Sequence, residues 1–275
     1  AEALQVANQS DVIVATLGEA SEMSGESSSR TNIEIPQIQK DLLAALLKTG
    51  KPVVLVLFTG RPLALSWEQK NVPAILNVWF GGSEAGNAIA DVLFGDVNPS
   101  GKLTTSFPQN VGQVPIFYAH KNTGRPLGEG KWFEKFRSNY LDVSNDPLYP
   151  FGYGLSYTSF SYSDVKLSST SLKGNQTLTA TVTVTNTGKL DGKETVQLYI
   201  RDVVGSVTRP VKELKGFQKI WLKAGESKTV SFSITPADLK FYNYDLKYDW
   251  EPGEFQVQIG ADSRDVKTAS VNWLK

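Results

Sequence analysis

The part of this chain best equipped for chemistry is Gly18-Glu19-Ala20-Ser21-Glu22-Met23-Ser24-Gly25-Glu26-Ser27-Ser28-Ser29-Arg30. It sets three glutamates within eight residues on a Ser/Gly loop, with an arginine four residues after the last. A carboxylic acid held near a cation can donate a proton in glycoside hydrolysis, provided that partial burial keeps it protonated. The same composition also describes a solvated polar loop. Other chemistries have less to work with. The chain has no cysteine and one histidine, His120, which excludes thiol redox centres, Cys-ligated zinc and His-rich metal sites. No cofactor or metal is implied. Ser24 and Ser83 lack both a G-x-S-x-G elbow and a convincing histidine partner for a serine hydrolase. Gly81-Gly82-Ser83-Glu84-Ala85-Gly86 stands before a helix and can hold an anion there, but it has no P-loop lysine and no G-x-G-x-x-G. Those glycines read better as close packing of helix on strand. Trp67, Trp79 and Trp132 can stack on a sugar ring or fill a core, and Trp79, at the end of an apolar run, reads as core.

These residues need elements to position them. Val12–Leu17, Val53–Phe58 and Ala74–Phe80 are near-continuous apolar runs, the pattern of parallel strands covered on both faces. Between the first two, Pro36 can open a helix, Ile38, Leu42, Ala45 and Leu46 form an apolar stripe, and Thr49-Gly50 can close it. A further helix is expected from Ser83 to Phe94, stopped by Gly95, and Ala1–Asn8 reads as the end of another. The glutamate loop then follows the C-terminal end of the first strand, where open α/β sheets bind their ligands. Three parallel strands make a small sheet, so it is expected to be incomplete at its N-terminus.

After about residue 155 the period changes to two. Leu178, Ala180, Val182 and Val184 alternate with threonines, and Val196/Leu198/Ile200, Val230/Phe232/Ile234 and Phe255/Val257/Ile259 repeat the pattern. Turn sequences between them suit a seven-stranded antiparallel sandwich. The reading is therefore two domains: α/β over 1–155, with an extended linker from about 96, and all-β over 156–275. Lys+Arg is 28 and Asp+Glu is 28, so no net field draws the chain to nucleic acid or an anionic membrane. The longest apolar run, Pro52–Phe58, is far shorter than the ~20 residues of a membrane helix.

Several ordered motifs carry a resemblance. They are Gly18-Glu19, Ser24-Gly25-Glu26 followed by Arg30, Gly50-Lys51-Pro52-Val53-Val54-Leu55-Val56, Gly60-Arg61-Pro62, Gly81–Ala88, Leu93–Leu103, Phe107-Pro108 and Tyr149–Tyr157. Together they resemble family 3 glycoside hydrolases, bacterial periplasmic β-glucosidases most of all. Val182–Gly188 and Arg209–Phe217 resemble that family's fibronectin type III-like domain. The resemblance implies an N-terminal (β/α)8 barrel bearing an aspartate nucleophile, an α/β sandwich bearing a glutamate acid/base, and the fibronectin-like domain. Only the last two correspond to this chain.

By that resemblance Glu26 is the acid/base, with Glu22 the runner-up. The family often has an aspartate directly before the arginine, where this chain has Ser29. Arg30 either clamps the loop or contacts sugar hydroxyls, and His120 lies in a segment resembling a family loop near the sugar site. Tyr248-Asp249-Trp250 echoes the nucleophile motif but reads as a turn in the β-sandwich. The implied function is the C-terminal part of a retaining, exo-acting β-glucosidase that takes β-glucosides or oligosaccharides. The same resemblance implies that the chain is inactive without its barrel and that it is periplasmic or secreted. The alternatives are a β-xylosidase parent or a non-catalytic carbohydrate-binding or assembly module. A face stripped of its barrel would also favour a homodimer.

Overall fold

The structure, a computed structural model, describes residues 1–127 and 131–275. The chain divides into two units, one formed by Ala1–Asp96, Phe107–Ile116 and Pro147–Tyr149, the other by Val97–Ser106, Phe117–Asp146 and Pro150–Lys275.

The first unit runs α1 (Glu2–Asn8), β1 (Ile13–Gly18), α2 (Gln37–Leu47), β2 (Val53–Phe58), α3 (Ser66–Asn71), β3 (Ala74–Asn77) and α4 (Ala85–Phe94). The strands form a parallel sheet in the order β1-β2-β3, with Ile13 opposite Val53 and Leu55 opposite Ile75. Central β2 buries Val53, Leu55, Val56 and Leu57, which is why its sequence is apolar throughout. β1 departs from that expectation by exposing Val14, and β3 departs further. The latter is an edge strand with half-exposed side chains, and it ends at Asn77 because Trp79 adopts a φ of 50° that no strand continues. Half-buried Trp79 packs edge-on against buried Phe107, ring centroids 5.7 Å apart.

Helix α2 also departs from its expected stripe. Leu43 and Leu46 are its buried residues, whereas Ile38 is 76% exposed. Polar Gln39 does the joining instead: its Oε1 accepts from Gly18 N at 2.8 Å and its Nε2 donates to Gly18 O at 2.9 Å. Helix α3 has only six residues, too few to show an apolar period, and so it was not legible. Helix α4 starts two residues later than expected and stops at Gly95, whose φ of 88° suits glycine. A Cβ on Gly81 would lie 2.6 Å from that of Ala85, which accounts for the glycine there by packing.

The second unit is a β-sandwich. Its strands are β4 (Phe160–Tyr162), β5 (Lys166–Leu167), β6 (Ser171–Lys173), β7 (Leu178–Asn186), β8 (Gly192–Asp202), β9 (Glu213–Leu222), β10 (Ser227–Ile234), β11 (Phe241–Tyr242), β12 (Tyr248–Asp249), β13 (Gly253–Gly260) and β14 (Val266–Leu274). One sheet has β10-β7-β4 with β5 also on β7, the other β6-β14-β13-β8-β9, and β11 pairs with β12. The inward positions of the alternating strands, from Leu178 to Trp273, form one core. The two sheets exceed the seven strands expected because the short segments β4, β5 and β6 join long neighbours, and β6 runs parallel to β14. Tyr248-Asp249-Trp250 is not a turn: Tyr248 and Asp249 pair with β11, and Trp250 is buried against Trp273.

The segment before the sandwich is ordered on it. Leu103 N donates to Tyr153 O at 2.8 Å, and Lys102 Nζ lies 3.2 Å from buried Glu194, whose other oxygen accepts from Tyr162 OH at 2.8 Å. Burial beside this carboxylate raises the Tyr162 pKa well above the ordinary tyrosine value.

Candidate active site

Past Gly18, β1 gives way to the glutamate loop, and its three carboxylates meet three different fates. Glu19 turns inward, its side chain 1% exposed. Its Oε1 accepts from Arg30 Nη1 at 2.9 Å, and its Oε2 accepts from Gly60 N at 3.1 Å. Arg61 Nε stands 2.9 Å from Oε1, but its N–H is off the hydrogen-bond line, so that contact is Coulombic. A carboxylate so surrounded is a structural anchor.

Glu22 is exposed in a short 3-10 turn, Ser21–Met23. Ser21 Oγ donates to its Oε1 at 2.7 Å, and this hydrogen bond, with one from the backbone, holds its pKa below the ordinary carboxylate value.

Glu26 stands at the outer corner of a four-residue turn, in which Ser28 N donates to Gly25 O at 3.2 Å. Ser27, next in the turn, has a φ of 61°, the sign required at the third position of a type II turn. The Glu26 side chain is exposed. On either side of it, Ser24 and Ser28 line an open cleft of ~420 Å³ together with Ser29, Gly60, Arg61 and Phe80.

Arg30 is the loop's clamp. Its Nη1 is taken by Glu19 and its Nη2 donates to Glu34 O at 3.0 Å. His120 belongs to the second unit, where it is exposed and its backbone carbonyl accepts from Val211 N at 2.9 Å. The structure thus brings Glu22, Glu26 and Arg30 together on one loop and assigns His120 to the other unit.

Sequence reasoning missed three residues here: Glu19 as an anchor, Arg61, and Phe80, which is 77% exposed in the cleft. The available signal was position. Gly60-Arg61-Pro62 follows β2, the strand next to β1, so it must emerge beside the glutamate loop. Among the described residues, no group of three or more acidic or histidine side chains is placed to hold a metal. No helix among them is long and apolar enough to cross a membrane.

The first unit is thus a parallel α/β unit with a clamped carboxylate loop at the C-terminal end of its first strand, and the second is a β-sandwich. Residues 1–157 match the glycosyl hydrolase family 3 C-terminal domain, and residues 194–263 match a fibronectin type III-like domain. The chain belongs to glycoside hydrolase family 3.

Among its relatives, the periplasmic beta-glucosidase of Salmonella typhimurium is 59% identical over 99% of this chain and 36% of that protein. A beta-xylosidase of Formosa agariphila is 47% identical over 98% of the chain and 36% of its own length. Of solved structures, the beta-glucosidase of Listeria innocua in complex with glucose superposes with a TM-score of 0.93 at 43% identity, covering 100% of this chain and 38% of that one. The chain therefore spans just over a third of the length of these relatives.

Proposed function

We propose that this chain is the portion of a retaining, exo-acting β-glucosidase that supplies the acid/base carboxyl, Glu26, and that the nucleophile stands on a (β/α)8 barrel outside these 275 residues. The observation carrying this reading is the access of Glu26, exposed on a turn beyond β1 where a substrate and a barrel packed over the loop can reach and bury it, while Glu19 is sealed by its partners. In the first step the partner carboxylate attacks the anomeric carbon, the bond to the leaving oxygen breaks, and Glu26 delivers its proton to that oxygen. In the second, water attacks the same carbon, Glu26 takes the water's proton, and the bond to the nucleophile breaks. Retention requires the two carboxyl groups to approach to about 5 Å. With one of the pair, the chain alone is inactive.

Arg30 serves the loop, one N–H of each terminal nitrogen being given to Glu19 and to the Glu34 carbonyl. The substrate is a terminal β-linked glucose, in keeping with the names of the Salmonella and Listeria relatives, and the location is the periplasm, as for the former. A β-xylosidase parent is the second reading, favoured by the Formosa relative.

The test is hydrolysis of aryl β-glucosides and β-xylosides by this chain and by a longer protein carrying the upstream segment, each with and without Glu26→Ala. Activity confined to the longer protein is expected, with Glu26→Ala costing roughly 10²–10⁴-fold on poor leaving groups and far less on good ones. Activity of the 275-residue chain by itself would sink the split-site reading.

A further inference from the structure

We propose that Glu19 is a positioning residue: by pairing with Arg30 and Arg61 it fixes the arc of loop that carries Glu26. The proposal rests on the reading of Glu26 as acid/base. Its basis is a chain of contacts that starts at a buried charge and ends on both sides of that residue. The Glu19 carboxylate, 1% exposed, is out of reach of any substrate, so it has no direct part in proton transfer. It draws two guanidinium groups to one oxygen, with Arg30 Nη1 and Arg61 Nε each at 2.9 Å. Two cations so close would repel each other without the shared anion.

What the second cation does next is the informative part. Arg61 Nη2 donates to the carbonyls of Met23 and Ser28, the latter at 2.8 Å. One nitrogen therefore ties down both ends of the arc 23–28, and Glu26 lies between them. The span left over is closed on itself by the Ser28-to-Gly25 hydrogen bond. The arc also rests on the end of β2: a Cβ on Gly60 would come within 1.7 Å of Ser24 Oγ and 2.7 Å of Phe80 Cζ. Glycine at this point lets the loop lie against the backbone, and Gly60 N in turn donates to Glu19. The arrangement turns a Ser/Gly sequence, flexible by composition, into a shaped support.

Proton transfer is sensitive to such placement, since a displacement of about 1 Å can cost about 10²-fold in rate. Replacing Glu19 by glutamine keeps the shape and removes the charge that holds both arginines.

The experiment compares kcat/KM for an activated substrate, 2,4-dinitrophenyl β-glucoside, with that for phenyl β-glucoside, in the longer protein and its Glu19→Gln and Glu26→Ala variants. Amide exchange across residues 23–28 is measured in the 275-residue chain with and without Glu19→Gln. The expected result is a loss of about 10²-fold on the phenyl glucoside only, in the same direction as Glu26→Ala, with faster exchange at 23–28 and unchanged exchange in β1 and β2. A merely structural role would lower both substrates together.

Equal losses, or none, in Glu19→Gln while Glu26→Ala discriminates between the substrates would overturn the proposal. If Glu26→Ala does not discriminate, the acid/base reading itself falls. The exchange data then decide: unchanged protection at 23–28 overturns the clamp, and lost protection upholds it. Should Glu19→Gln fail to fold, Arg61→Met, which cuts the tie to both carbonyls and leaves the Glu19–Arg30 pair, is put through the same measurements.

Discussion

Glu68 on α3 is a sharp test of the electrostatics of the first unit. Its side chain is fully buried, and neither carboxylate oxygen has a hydrogen-bond partner. The nearest cation, Lys40 Nζ, lies 3.8 Å from one oxygen but gives its short contact, 2.8 Å, to Glu34. At an effective dielectric of about 20 the 3.8 Å pair attracts by about 4 kcal/mol, and desolvating a carboxylate costs several kcal/mol. Desolvation wins, and the Glu68 pKa is raised above its ordinary 4.5.

The sign follows from linkage. An acid with a raised folded-state pKa contributes stability that is fully present below its unfolded pKa and is lost as pH rises through the folded one. Glu68→Gln removes the charge and retains the shape. The variant is therefore expected to gain about 1–3 kcal/mol relative to the parent at pH 7, the cost of an unsatisfied buried group, and to gain little at pH 4. Urea unfolding at a series of pH values, followed by amide exchange in β2 and α3, reads the difference. A variant that loses more stability at pH 7 than at pH 4 would show that the ionised Lys40 pair carries net stability and would refute this reasoning.

Two further outcomes follow from the same kind of accounting. Lys102→Met removes the cation beside buried Glu194, leaving the Tyr162 hydroxyl bonded to it, and should destabilise the sandwich unit by about 3–5 kcal/mol in thermal unfolding, with much of the loss recovered by adding Glu194→Gln. Gly18→Ala places a Cβ 1.9 Å from Phe58 O at a φ of 139°, so it should cost at least about 1–3 kcal/mol and loosen amide protection at the β1–β2 end; an unchanged melting temperature would contradict the tight approach.

Composition and periodicity determined a good deal about this protein. A parallel sheet followed by an antiparallel sandwich was legible because apolar runs and strict alternation are properties of neighbouring residues, and each stands for a strand buried on two faces or on one. The ordered motifs carried the family in the same way. Burial and pairing, by contrast, depend on which segments become neighbours. The exposed Ile38, the early end of β3 at Trp79 and the six residues of α3 could not be read, because each is decided by a local backbone angle or by what packs alongside.

The candidate site divides along the same line. Sequence placed Glu22, Glu26 and Arg30 on one loop after β1, but it ranked Glu26 over Glu22 only by likeness to a motif. Tertiary structure separated them physically. It sealed Glu19 against residues some forty positions further along the chain, bonded Glu22 to Ser21, and left Glu26 exposed on its turn. The reason is general. Charge and hydrogen-bonding capacity are written in the residue type, whereas solvent access and partner identity arise only when β1 and β2 lie side by side and bring Gly60 and Arg61 to the loop.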